Sequence, residues 1–196
     1  MDPFSQPSIR ELLDSYPLTN LDAGKPRDAV HAKLKSLTGE SLFEPRVVKD
    51  RSMAACCVSA LWLWHNYLDQ SHKISQEIET SAGSAWHGIM HRREGDFWNA
   101  NYWFARVRDA SLFPTMAVAK ESLQLGIQNE DSSSSLQRLI RVSEWSASDF
   151  TNEVERILQK GNEGEIRSAL TIASAEWRVL FRSCWFGAIG MPVTEM

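Results

Sequence analysis

Toward the C-terminus, Ile166, Ala169, Leu170, Ala173, Trp177, Leu180, Phe181 and Cys184 return at intervals of three and four residues, the rhythm of one helix face. Strand-like alternation between turn residues is hard to find anywhere in the chain. Asn162 is a natural N-cap for the long stripe, and Gly187 and Gly190 end it. Upstream, Phe150, Val154, Ile157 and Leu158 make a second stripe. Ser146 with Asp149 opens it as a variant capping box, and Gly161 closes it. Ser8 and Glu11 open a short N-terminal helix that Pro17 closes. Asp28 to about Leu37 reads as another, with Ala29, Val30 and Leu34 inward. From Ser52 to about Asp69 the chain is apolar almost all round, as expected of one helix in the middle of a bundle or at an oligomer interface. Ser84 caps a helix carrying Trp86, His87, Ile89, Met90 and His91, and Asp96 caps the next, Phe97 to about Val107. Pro114 begins one with Met116, Ala119 and Leu123. The serine run at 132–135 suggests a flexible loop over about 129–135, before a short helix from Leu136 to Val142. These patterns predict an all-α fold, a single-domain helical bundle over 1–196 with seven to nine helices and a buried central helix.

A chain of 196 residues with 43% hydrophobic content can bury a real core in one domain. Its net charge of −4 argues against a nucleic-acid binder, which carries a basic stripe. No apolar run long enough to span a membrane occurs. The start, Met1 to Ser5, lacks the basic and apolar regions of a secretory signal. Cys56, Cys57 and Cys184 are too few and too oddly spaced for a disulfide framework, and read as reduced thiols of a cytoplasmic protein. The all-round apolar helix and Trp145 permit a homodimer without requiring one.

Four of the five histidines lie between positions 65 and 91. His87 and His91, four apart on a helix, project from one face and can converge on one ion. Gly88 stands where zinc proteases carry their glutamate, so that motif is absent. His65 is the best third ligand from its place at the end of the apolar helix. His72, seven residues on, is about 10.5 Å further along a continuous helix, and so faces substrate or supports a ligand instead. Asp69 can accept the second ring N–H of a ligating histidine. Three neutral nitrogens with an open fourth position suit Zn²⁺, and also some copper sites. Either Glu77 or Glu79 can serve as general acid or base if held near the metal. Arg92 and Arg93, beside Glu94 and Asp96, read first as a structural salt-bridge hub. Trp98, Tyr102 and Trp103 belong to an aromatic cluster that can wall a pocket for a flat, poorly charged molecule. The metal and pocket segment thus spans about 55–110.

The block Trp86-His87-x-x-x-His91-Arg92-Arg93-Glu94-Gly95-Asp96-x-x-Asn99-x-x-Tyr102-Trp103, with His65-x-x-x-Asp69-x-x-His72-x-Ile74-Ser75-Gln76 before it, resembles a family of small, mostly uncharacterised helical proteins whose members of known activity nearest to this sequence are the fungal cyclopenases. Those are haemocyanin-like zinc proteins of quinolone alkaloid biosynthesis. The resemblance implies a zinc-dependent, ring-contracting lyase of secondary metabolism. Its substrate would be a 6,7-bicyclic benzodiazepinedione of cyclopenin type, and its product a 6,6-quinolone of viridicatin type. On that expectation His65, His87 and His91 hold the zinc, Glu79 moves a proton with His72 beside it, and Trp98, Tyr102 and Trp103 hold the aromatic substrate. The competing expectations are a metal-dependent hydrolase or oxidoreductase, and a non-catalytic helical interaction module.

Overall fold

The computed structural model describes residues 2–13, 18–114, 116–127, 134–141 and 144–192. Among these all regular structure is helical: α1 (Pro7–Leu13), α2 (Asp28–Ser36), α3 (Arg51–Trp64), α4 (Leu68–Ser75), α5 (Ser81–Glu94), α6 (Phe97–Phe104), α7 (Ala117–Gln124), α8 (Ser134–Arg141), α9 (Ala147–Lys160) and α10 (Glu163–Ala188). The ten exceed the expected seven to nine by one, because the apolar run from Ser52 to Asp69 is not one helix. Pro17 and most of the serine loop at about 129–135 lie outside the described residues.

The break is a helix-ending turn. Asn66 takes a left-handed conformation, φ 67°, which asparagine tolerates better than most residues. The Asn66 N–H donates to Leu63 O at 3.1 Å and the Tyr67 N–H to Trp62 O at 3.0 Å, the paired bonds that satisfy a helix's last carbonyls. Arg93, reaching across from α5, fixes the turn. Its guanidinium donates to Leu63 O at 2.7 Å and to Asn66 Oδ1 at 2.6 Å, while Asn66 Nδ2 donates to Lys25 O. The chain then reverses into α4, which packs on α3 through Ser59 and Ser71, their hydroxyls 2.9 Å apart.

Local cues place the other helices well, with shifts at some ends. Asn162 and Glu165 form a reciprocal capping box at α10, Ser146 caps α9 and Asp96 caps α6. The cap of α5 is Thr80, whose Oγ1 accepts from Gly83 N, rather than Ser84, which sits a turn inside. Helix α1 begins at Pro7, one residue ahead of the expected Ser8 cap, and α7 begins at Ala117 rather than Pro114. Of the residues in the expected stripes, Ala29, Met116, Leu123 and Leu158 face solvent.

Helix α3 is buried from Cys56 to Trp64, as the central helix should be. It is crossed by α10, where Trp177 Nε1 donates to Ala60 O at 3.1 Å. One group of buried apolar side chains gathers α3, α5 and the C-terminal half of α10. A second gathers α7, α8, α9 and the N-terminal half of α10. Cys56, Cys57 and Cys184 are buried thiols, and Trp86 Nε1 donates to Cys184 Sγ. No helix among the described residues is long and apolar enough to cross a membrane.

Gly88 explains the missing protease glutamate. A Cβ at this position would come within 2.8 Å of the Phe104 ring of α6, so α6 lies on α5 only because no side chain intervenes. Gly88→Ala is expected to destabilise the fold by about 1–3 kcal/mol through overpacking, read by denaturant unfolding. A cost near zero would mean that Phe104 moves aside without penalty.

Candidate metal centre

Helices α4, α5 and α6 meet at a corner, and the turn at Asn66 decides what reaches it. By folding α4 back, it carries His72 onto the face of α5 that presents His87 and His91. The potential ligand atoms of His72, His87 and His91 all lie within 4.8 Å of one another. The His87 and His91 rings stack at 4.7 Å with planes 27° apart. The His72 ring stands nearly perpendicular to both, at 4.7 and 5.4 Å. Three nitrogens on a tetrahedral ion at bonds of about 2.0–2.1 Å stand about 3.4 Å apart. The spread of this group, up to 4.8 Å, exceeds that spacing by little more than about 1 Å.

The environment of each ring suits a ligand. His87 is 3% exposed, and its buried Nδ1 has no hydrogen-bond partner among the described residues. Burial, then the neighbouring His91 and His72, push its pKa down to about 4, which leaves the imidazole neutral and able to coordinate near pH 7. One face lies against Trp103, 4.1 Å between centroids and 16° between planes. His91 Nδ1 stands 2.6 Å from Glu94 Oε1. Such a carboxylate fixes the ring so that Nε2 is the coordinating atom. Asn99 Nδ2 approaches that Nε2 at 3.1 Å and would turn away when a cation binds. Asn99 lies in the motif quoted above but receives no role from sequence reasoning.

His65 does not join this group, and the expected ligand set is corrected accordingly. It caps the C-terminus of α3, fully buried, on the near side of the turn that carries His72 away from it. Its neighbours are the backbone of Leu12 and the Arg27 guanidinium. Burial first, and Arg27 second, lower its pKa from 6.5 to about 4. The sign follows: between those values the unfolded chain binds the proton that folded His65 refuses, so stability falls as pH drops from about 6.5 to 4. The loss has a ceiling of about 3 kcal/mol. Urea unfolding at stepped pH measures it, and His65→Gln should flatten the slope in part.

The remaining expected residues fall in different places. Asp69 and Glu77 are exposed and outside the histidine group. Arg92 is not paired with its sequence neighbours but with Glu176 of α10, both buried. Trp98 is 79% and Tyr102 47% exposed, stacked on each other at 6.2 Å on the outer side of α6, so they do not wall a closed pocket. Trp103 does line a cleft of about 640 Å³, together with Glu79, Thr80, Ser81, Ser84, Arg106 and Arg108 among others. Trp103 and the α5 turn from Ser84 to His87 connect this cleft to the histidines. Neither arginine was a sequence expectation, since nothing in the 106–108 stretch marks a site until α6 brings it beside the start of α5. Comparison with family models, with curated proteins and with solved structures finds no significant match for this chain.

Proposed function

We propose that this chain is a zinc-dependent enzyme whose ion is held by His72, His87 and His91, with a small molecule entering from the cleft beside Trp103. The observation that carries the reading is the three-histidine group itself, with a buried ring nitrogen of His87 that finds no other partner among the described residues. A buried polar atom without a partner is costly, and a cation would remove that cost. His72 therefore moves from the expected catalytic role to that of ligand.

The finer reading is the ring-contracting lyase implied by the sequence resemblance, turning a cyclopenin-type benzodiazepinedione into a viridicatin-type quinolone. Zn²⁺ bound there supplies a Lewis acid for a substrate oxygen. Glu94 and Asn99 hold the His91 ring, and Trp103 fixes the plane of His87. Glu79, exposed at the cleft, is the carboxylate placed to move a proton. The donors lining the cleft orient the substrate.

Element analysis after zinc loading and removal of excess metal tests the first reading. About one ion per chain is expected for the parent and for His65→Gln, and none for His72→Ala. A parent without stoichiometric metal, or loss of metal in His65→Gln with retention in His72→Ala, overturns the ligand set. Stoichiometric zinc without turnover of a cyclopenin-type substrate would keep the metal centre and remove the lyase reading.

A further inference from the structure

The cleft beside the histidines was expected to be an aromatic slot for a poorly charged ring, and its lining is of another kind. One tryptophan contributes, and that ring already lies on His87. The rest of the wall is rich in hydrogen-bond donors. We propose that this cleft binds a small molecule through an anionic oxygen group, a carboxylate or a phosphate, held by Arg106 and Arg108.

Arg106 is pre-positioned. Its Nη1 donates to the Tyr102 hydroxyl at 2.9 Å, and its guanidinium lies 5.2 Å from the Trp103 ring centre and 5.5 Å from that of Tyr102. These contacts hold the group against α6 and leave donors for a ligand. The backbone N–H of Arg108 donates to Ser81 Oγ at 3.1 Å, which pins the chain after α6 to the start of α5. Its guanidinium forms no ion pair among the described residues. Glu79, the one carboxylate of the lining, pairs with neither arginine, so two cations face one anion in the cleft.

Ser84 supplies the independent observation. It is 6% exposed, it lines the cleft, and its hydroxyl makes no hydrogen bond among the described residues. Its neighbour Thr80 caps α5, whose 14 residues direct a positive dipole end at the same space. Two guanidiniums, the uncommitted hydroxyl of a mostly buried serine and a helix start together favour an oxyanion over a neutral ring. The inference gives the proposed enzyme's ligand a chemical class, yet it stands on the cleft's own lining and not on an occupied metal centre. A cyclopenin-type dione carries neither a carboxylate nor a phosphate, so this inference deepens the metal-dependent reading of the site and not its lyase form.

Calorimetric titration of the full chain with benzoate, phenyl phosphate and benzamide tests it, each with and without zinc. Both anions should bind, and the neutral amide at least about tenfold more weakly. The double variant R106Q/R108Q, which changes two exposed side chains, should weaken the anions about tenfold or more, and Glu79→Gln should tighten them. Benzamide binding as well as benzoate, an unaffected double variant, or no anion binding below about 10 mM would overturn the proposal. Anion binding that needs zinc and ignores the double variant would also overturn it, since the anion would then sit on the metal. Binding without zinc that the double variant abolishes would sustain it even if the metal reading failed.

Discussion

His87→Ala is expected to lower zinc affinity by more than about 100-fold, because loss of a mere supporting hydrogen bond to a ligand already costs roughly 10–100-fold. The other two histidines cannot compensate. His72 is half-buried on α4 and His91 is engaged by Glu94 and Asn99, which leaves two nitrogens where a closed set needs at least three. His87 is also the ring best prepared to coordinate, since burial already keeps it neutral. Competition with a chromogenic chelator measures the change, and circular dichroism verifies that the variant is folded. Glu94→Gln should fall between, at about tenfold. Equal zinc affinity in His87→Ala and the parent would remove this residue from the centre.

The second large effect concerns stability. Glu176→Ala is expected to cost about 3–5 kcal/mol, the usual result of stranding one member of a buried ion pair. Arg92 and Glu176 are 3% and 0% exposed, and the guanidinium lies 4.8 Å from the Phe150 ring centre and 5.6 Å from that of Phe104. Without the carboxylate those rings cannot replace its hydrogen bonds. Trp145 Nε1, which donates to Glu176 at 3.0 Å, loses its acceptor as well. Replacing both charges together, as Arg92→Met with Glu176→Leu, should recover much of the loss, because apolar groups of similar volume leave nothing unpaired. Denaturant unfolding reads both. A single-variant cost under about 1 kcal/mol would mean that water reaches Arg92.

What was legible in the sequence is what local chemistry decides. Asn162, Ser146 and Asp96 mark helix starts within three residues of themselves, and all three caps form. The end of α3 was not legible, because Asn66 is held in its left-handed turn by Arg93, 27 residues away in sequence. That one long-range contact decides which histidine meets His87 and His91. A helix continued through Asn66 favours His65, and a helix broken there delivers His72. The face of α6 was ambiguous for a similar reason. Periodicity groups Trp98 with Tyr102 but does not say which side the rest of the fold will cover, and the covered side proves to be that of Ala100 and Phe104. The positive lining of the cleft needed the approach of residues 106–108 to the start of α5, a juxtaposition that no spacing rule supplies.

Helix α10 lends Trp177, Leu180, Phe181 and Cys184 to one apolar group and Ala169, Ile172 and Val179 to the other. Neither group therefore has a complete wall of its own. Detaching α10 strips both at once, so the two groups are expected to unfold together in one thermal step. The three-histidine corner, far from α9 in sequence, is tied to it through that shared helix.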